Sequence, residues 1–144
     1  MSQVTVLDAS AVLAFLQAEA GHELVRVALQ NEHCFVTAAN QSEIISKALD
    51  KGIAPSNLDT LLHELGYVVI EVSATDGALA GWMRNDTRDF GLSLGDRLCL
   101  ASAKRLKANV LTADRVWLNV ATILDLNIIC IRPKADDLIL AQNN

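Results

Sequence analysis

Aromatic residues are scarce: two Trp, one Tyr and three Phe, 4% of 144 residues. That is too few for a base-stacking platform of the kind carried by RNA-recognition sheets and OB-folds. Cysteines number three, Cys34, Cys99 and Cys130, with no C-x-x-C spacing. Each sits in an apolar context and reads as a small core residue rather than a disulfide or zinc ligand. Basic residues are outnumbered, 12 against 17 acidic, for a formal charge of −5 and a pI near 5.0. Such a chain is ill suited to holding nucleic acid by phosphate contacts alone. No apolar run approaches the ~18 residues of a bilayer-spanning helix. The start, Met1-Ser2-Gln3-Val4-Thr5, has no basic n-region of a signal peptide. The expected location is therefore the cytoplasm, with no membrane partner.

What is present is a folding composition. Apolar residues make up 51% and mean hydropathy is +0.28, which excludes a disordered chain. The length suits one domain, over residues 1–144. Val4–Leu7 is a short strand-like run ending at Asp8, and Ser10 is placed to cap a helix from residue 11. The pattern continues with a helix over 21–30, a strand over 34–37 and a helix over 38–51 stopped by Gly52. Pro55 fits the first turn of a helix through Leu65, closed by Gly66. Residues 67–72 form the clearest strand-like run, followed by a helix over 75–84. Residues 85–92 read as a polar, irregular loop. A helix over 93–107, a strand over 109–112, a short helix over 114–120 and a last strand over 127–131 complete the pattern. Pro133 opens a mostly polar tail, residues 133–144. Alternating strands and helices, with strands apolar throughout, predict a Rossmann-like α/β/α sandwich around a mostly parallel sheet of four to five strands.

In open α/β sheets, ligands bind beyond the carboxyl ends of the strands. Asp8 follows the first strand, Asp114 lies two residues beyond Thr112, and Asp96 sits in the first turn of the helix from Ser93. Glu43 lies inside the helix over 38–51. Each has an ordinary reading. Asp8 and Asp114 suit helix N-caps, Ser93-Leu94-Gly95-Asp96 fits a capping box, and Glu43 with Lys47 fits an i,i+4 pair. Yet Asp96 shares a helix face with Cys99, Leu100 and Ala103, and Asp8 is flanked by apolar segments. Enclosed carboxylates near one another repel unless a cation neutralises them. His22, His33 and His63 stand away from these acids, and oxygen-only donors suit Mg²⁺ or Mn²⁺. No Ser-His-Asp or Cys-His arrangement is readable. The residues alone point to a carboxylate-lined metal site for phosphoryl chemistry.

At this point the motifs resemble a known family. Val6-Leu7-Asp8-Ala9-Ser10-Ala11 resembles the opening motif of PIN-domain ribonucleases, and Ser42-Glu43-Ile44 is similar to their second acidic position. Gly91-Leu92-Ser93-Leu94-Gly95-Asp96-Arg97, followed by Cys99-Leu100-Ala101, resembles the stretch around the third acid. Residues 110–117, Val-Leu-Thr-Ala-Asp-Arg-Val-Trp, resemble the segment of the fourth. Order and spacing agree over nearly the whole chain, and the length is that of the VapC-like toxins of type II toxin–antitoxin pairs. Asn119 stands near where some members carry a further acid. The resemblance implies that Asp8, Glu43, Asp96 and Asp114 hold one or two Mg²⁺ or Mn²⁺ ions. It implies hydrolysis of single-stranded RNA to 5′-phosphate and 3′-hydroxyl ends. Ser10 and Thr112 would orient the acids. Arg84, Arg88 and Arg97, around the expected loop, are the candidate RNA-phosphate contacts. The implied partners are an RNA substrate, a cognate antitoxin and a second copy in a homodimer. The helices over 11–18 and 21–30, near Phe15 and Leu29, and the tail run Leu138-Ile139-Leu140 are candidate docking surface.

Two other readings are open. A phosphatase of the haloacid-dehalogenase type needs Asp-x-Asp after its first strand, and Ser10 occupies the second position here. A receiver domain needs a paired acid beside Asp8 and a Lys after the last strand, where only Lys134, behind Pro133, is available. A binding module that keeps the fold without the chemistry is the second alternative.

Overall fold

The computed structural model describes residues 3–132. Five strands form one sheet: β1 (Val4–Leu7), β2 (His33–Thr37), β3 (Val68–Ile70), β4 (Asn109–Thr112) and β5 (Ile128–Cys130). Their spatial order is β3-β2-β1-β4-β5 and every pairing is parallel. Seven α-helices connect them: α1 (Ala9–Leu16), α2 (His22–Asn31), α3 (Ala38–Asp50), α4 (Pro55–Leu65), α5 (Ala74–Thr87), α6 (Leu94–Leu106) and α7 (Ala121–Leu124). The sandwich expected from the alternation is the observed fold.

Side chains alternate across the pleat, so each central strand feeds two cores. Leu7, Val36 and Leu111 pack with α1 to α4 on one face. Val6, Val110 and Ile128 pack with α5, α6 and Trp117 on the other. The chain moves outward from β1 through β2 to β3, then returns to place β4 on the opposite side of β1. The carboxyl ends of β1 and β4 therefore stand side by side at the switch in strand order. The backbone N–H of Asp8 donates to the Leu111 carbonyl at 3.1 Å and ties the two ends together.

Several local expectations shift. The run over 67–72 contributes only the three-residue edge strand β3, with Val68 and Val69 largely exposed. It pairs on one side only, with residues 35–37 of β2. Residues 85–92 are not an irregular loop. Helix α5 continues to Thr87, whose buried hydroxyl donates to the Met83 carbonyl at 2.8 Å. A 3-10 turn, Arg88–Phe90, and Gly91 at φ +67° then close the segment. The short helix expected over 114–120 is a 3-10 turn, Arg115–Asn119, followed by α7. Helix α1 is capped by Asp8, not by Ser10. Phe15 and Leu29 are half-buried against the core. On α2, Leu24 and Val27 are exposed, and an apolar groove opens between α3 and α4, lined by Ile45, Leu49, Leu58, Leu62 and Val69. The run Leu138-Ile139-Leu140 lies outside the described residues. No described helix is long and apolar enough to cross a membrane.

Gly21, before α2, has φ +90°, and a Cβ there would lie 2.1 Å from the Ile131 carbonyl oxygen. Gly66 has φ +80° but open space around it. Gly66→Ala should cost about 1 kcal/mol, the ordinary penalty of the left-handed region. Gly21→Ala should cost at least twice as much, because backbone must also move. Urea unfolding of both variants measures the difference; equal losses would mean that the α1–α2 turn does not rest on the end of β5.

Candidate active site

The deepest charged group at the switch is Asp8, 4% exposed. Its backbone ends β1 and its carboxylate caps α1, accepting from the Ala11 N–H at 2.9 Å. Two hydroxyls complete its surroundings. Thr112, at the end of β4, donates to Oδ2 at 2.7 Å and itself accepts from the Asp114 N–H at 3.1 Å. Ser10 lies 2.8 and 2.9 Å from the two Asp8 oxygens and accepts from the Ala113 N–H at 2.9 Å. Each hydroxyl has its acceptor side filled by backbone, so its proton is directed at Asp8. One carboxylate thus joins β1, α1 and the start of the segment carrying Asp114.

Glu43 projects from the middle of α3 toward the first turn of α6. The Asn40 amide donates to its Oε1 at 3.3 Å. A Cβ on Gly95 would fall 2.2 Å from that same oxygen, so the glycine leaves the notch in which the carboxylate rests. Glu43 and Lys47 do not form the expected ion pair, although they are one turn apart. Asp96 closes the capping box predicted from Ser93: its Oδ2 accepts from the Ser93 N–H at 2.9 Å, while Ser93 Oγ accepts from the Asp96 N–H at 3.1 Å. Asp114 caps the 3-10 turn through Val116 N–H at 3.0 Å and is exposed. All four acids line one cleft of about 560 Å³, together with Ser10, Lys47, Ser93, Leu94, Gly95 and Trp117. Asn40, Gly95, Lys47 and Trp117 were not singled out as site residues from the sequence. Only the Gly before Asp96 carried a local signal, as a small residue next to an acid in a first helical turn.

Burial pushes the Asp8 carboxyl up to about 6, against hydrogen bonds from Thr112, Ala11 and Ser10 that favour its charge; the nearby Asp96 adds to the rise. Cys99, fully buried below the cleft, has its thiol held well above its ordinary value by burial and by Asp8, Asp96 and Glu43. It is an inert core residue, as is Cys34. The donor set fits a hard divalent ion in kind: carboxylate oxygens only, around a buried group whose charge is unfavourable alone. Asp8, Asp96 and Asp114 are each tied to their own cap, and Glu43 to Asn40. Among the described residues no three Asp, Glu, His or Cys side chains stand close enough together to grip an ion as placed.

The arginines do not gather here. Arg97 is turned into the α5–α6 interface, where it donates to the Ala80 carbonyl at 2.8 Å and buries its Nε. The expected RNA contact is thus placed outside the lining of the cleft, with its Nη1 engaged by backbone. Arg84 and Arg88 are exposed on α5 and the following 3-10 turn, outside the lining of the cleft. Asn119 is exposed and also outside it. His22, His33 and His63 are all remote from the acids, as expected.

The raised Asp8 value carries a stability consequence. Below about pH 4 the carboxyl is protonated folded and unfolded, and its contribution is fully present. As pH rises through about 6 the folded state is forced to hold a buried charge, and stability falls. The gap between about 6 and 3.8 corresponds to about 3 kcal/mol at neutral pH without metal. Asp8→Asn keeps the cap and removes the charge. In EDTA it should melt above the wild type at pH 7.5, and the two curves should converge near pH 4. A constant offset at both pH values would mean that Asp8 is an ordinary cap.

No curated protein matches the chain. Solved structures resemble it in fold. VapBC2 from Rickettsia felis bound to a DNA fragment from its promoter matches with TM-score 0.67 and 16% identity, covering 89% of this chain and 98% of that one. A toxin–antitoxin complex from Klebsiella pneumoniae gives 0.69 and 12%, covering 90% and 99%. DNA-bound VapBC from Salmonella typhimurium gives 0.66 and 16%, covering 91% and 99%. The PIN domain family profile matches residues 5–123, a span that includes all four acids and both supporting hydroxyls. The chain belongs to the PIN domain family.

Proposed function

We propose that the protein is a divalent-metal-dependent endoribonuclease, the VapC-like toxin of a type II toxin–antitoxin pair, acting on single-stranded RNA. The observation that carries this reading is the buried Asp8, oriented by Ser10 and Thr112 in the cleft that Glu43, Asp96 and Asp114 also line. Mg²⁺ or Mn²⁺, one or two ions, would be held by these four carboxylates. When bound, it supplies charge for the phosphodiester oxygens and lowers the proton affinity of the attacking water. The chain's own contribution is placement. Thr112 and Ser10 keep both Asp8 oxygens fixed, Asn40 steers Glu43, and the α6 cap holds Asp96 at the mouth. The likeness in fold to toxin–antitoxin complexes supports an antitoxin partner, and a homodimer belongs to the same reading. The compartment is the cytoplasm, where RNA is available.

The separation of the acids gives a non-catalytic module its one point of support. Cleavage assays decide between the two. RNA hydrolysis should vanish in EDTA and return with Mg²⁺ or Mn²⁺, and Asp96→Asn should lower turnover roughly 10²-fold or more with an unchanged circular dichroism spectrum. Expression of the wild type should arrest growth, and co-expression of its antitoxin should relieve the arrest. Full turnover in EDTA would overturn the mechanism; absence of cleavage together with absence of saturable Mn²⁺ binding would favour the module.

The Gly95 notch yields a sharper check on Glu43. Gly95→Ala improves helix propensity in α6, so stability should hold or rise. Its methyl group would displace the Glu43 carboxylate, and turnover should fall roughly tenfold. Adding Glu43→Asp shortens the displaced side chain and should restore part of the loss. A double variant no better than the product of the two single effects would show that the notch does not position Glu43.

A further inference from the structure

A second groove opens beside the carboxylate cleft and shares two of its walls. The cleft is lined by Ser10 and Lys47 on one side; the same two residues line a neighbouring groove of about 390 Å³ with Leu13, Gln17, Asp50 and Lys51. Arg132 and Glu19 close its far end, paired with each other at 3.1 Å. The two hollows run together along the exposed side of α3.

The charge along this path differs from the rest of the site. Lys47 is the one cation among the described residues that line the cleft. Its apparent partner, Glu43, is steered away by Asn40, and no described salt bridge uses Lys47 or Lys51. Lys51, the C-cap of α3, follows Lys47 by one turn, about 6 Å along the axis at the backbone, and both are exposed. Against them stands Asp50, since Glu19 is already taken by Arg132. A polyanion approaching four carboxylates needs cations beside them, and Arg97 is committed to the Ala80 carbonyl.

We infer that Lys47 and Lys51 form the track along which a single polynucleotide strand enters the cleft, with the reacting phosphate at the acids and the flanking phosphates over α3. The inference rests on the nuclease reading, and it replaces the arginines with these lysines as the phosphate contacts. The strand's backbone, not its bases, is read: the track offers ammonium groups and no aromatic face. Lys47, which borders both hollows, contacts the phosphate next to the reacting one. Lys51 holds the phosphate beyond it.

Binding without cleavage separates this inference from the nuclease reading. The probe is a labelled RNA strand of roughly 12 nucleotides, compared with one of roughly four. Both are titrated in Mg²⁺ with the Asp96→Asn protein, alone and combined with Lys47→Ala and Lys51→Ala. The longer strand should bind more tightly than the shorter one, and the paired substitution should remove most of that advantage, roughly tenfold at low salt. The slope of log K against log salt should shrink by about 1.4, for two phosphates released from contact. Arg84→Ala with Arg88→Ala should leave both values unchanged. An unchanged slope in the lysine variant, or equal binding of the two strands by the parent, would overturn the track. So would displacement of neither strand but saturable capture of poly-glutamate, which would make the groove a site for an acidic peptide. If the strand binds as described while the wild type cleaves nothing in Mn²⁺, the track stands and the nuclease reading falls.

Discussion

The hydrogen bonds that converge on Asp8 are the constraint on which this end of the molecule depends. A carboxylate with 4% exposure is costly in an apolar setting. Here every contact that lowers the cost also fixes a piece of structure. The Ala11 N–H starts α1, Thr112 fastens the end of β4, and Ser10 reaches the Ala113 N–H that leads to Asp114. The residual cost, visible in a carboxyl raised to about 6, is what a cation at the cleft would relieve. Folding and a bound cation would therefore act on the same group with opposite preferences for its charge.

The other three acids share this double duty. Asp96 caps α6 and Asp114 caps the 3-10 turn, while Glu43 is held by Asn40 beside the space left by Gly95. A helix N-terminus favours a carboxylate electrostatically and turns it back toward its own backbone. That explains how Asp8, Asp96 and Asp114 line one cleft while each stays tied to its own helix or turn. The caps set where Asp8, Asp96 and Asp114 stand, and the cleft is where those caps meet. A fold that brings the ends of β1 and β4 together places two such caps side by side by topology alone.

Charge is distributed unevenly over this acidic protein. Four acids line the cleft at the switch between β1 and β4, and Lys47, the one cation among the described residues of that lining, stands on α3. Arginine suits a planar, bidentate contact, and Arg97 spends that capacity on joining α5 to α6. Lysine, a flexible point charge, is left to face solvent. The −5 net charge disfavours indiscriminate adsorption of nucleic acid.

Much of this was legible in the residue order. The positions of β1, β4, α4 and α6 follow from apolar runs bounded by Asp8, Pro55, Gly66 and Ser93, because caps and breakers act over a few residues and leave local marks. The four acids were identifiable by their place after strands and in helical turns. Other features depended on what the chain meets in space. The 67–72 run is apolar enough for a buried strand, yet it ends as a short exposed edge because only β2 lies beside it. Residues 85–87 are polar, yet they stay helical because Thr87 is buried against Met83 and satisfies its hydroxyl there. Arg97 looked like a free cation until the Ala80 carbonyl was placed 2.8 Å away, and Lys47 looked like a partner for Glu43 until Asn40 took that carboxylate. Sequence by itself determined which groups carry charge, which turns start and stop helices, and which runs are apolar enough to form strands. Only the tertiary structure decided which charged groups face one another, since a side chain's partner is set by packing between elements far apart along the chain.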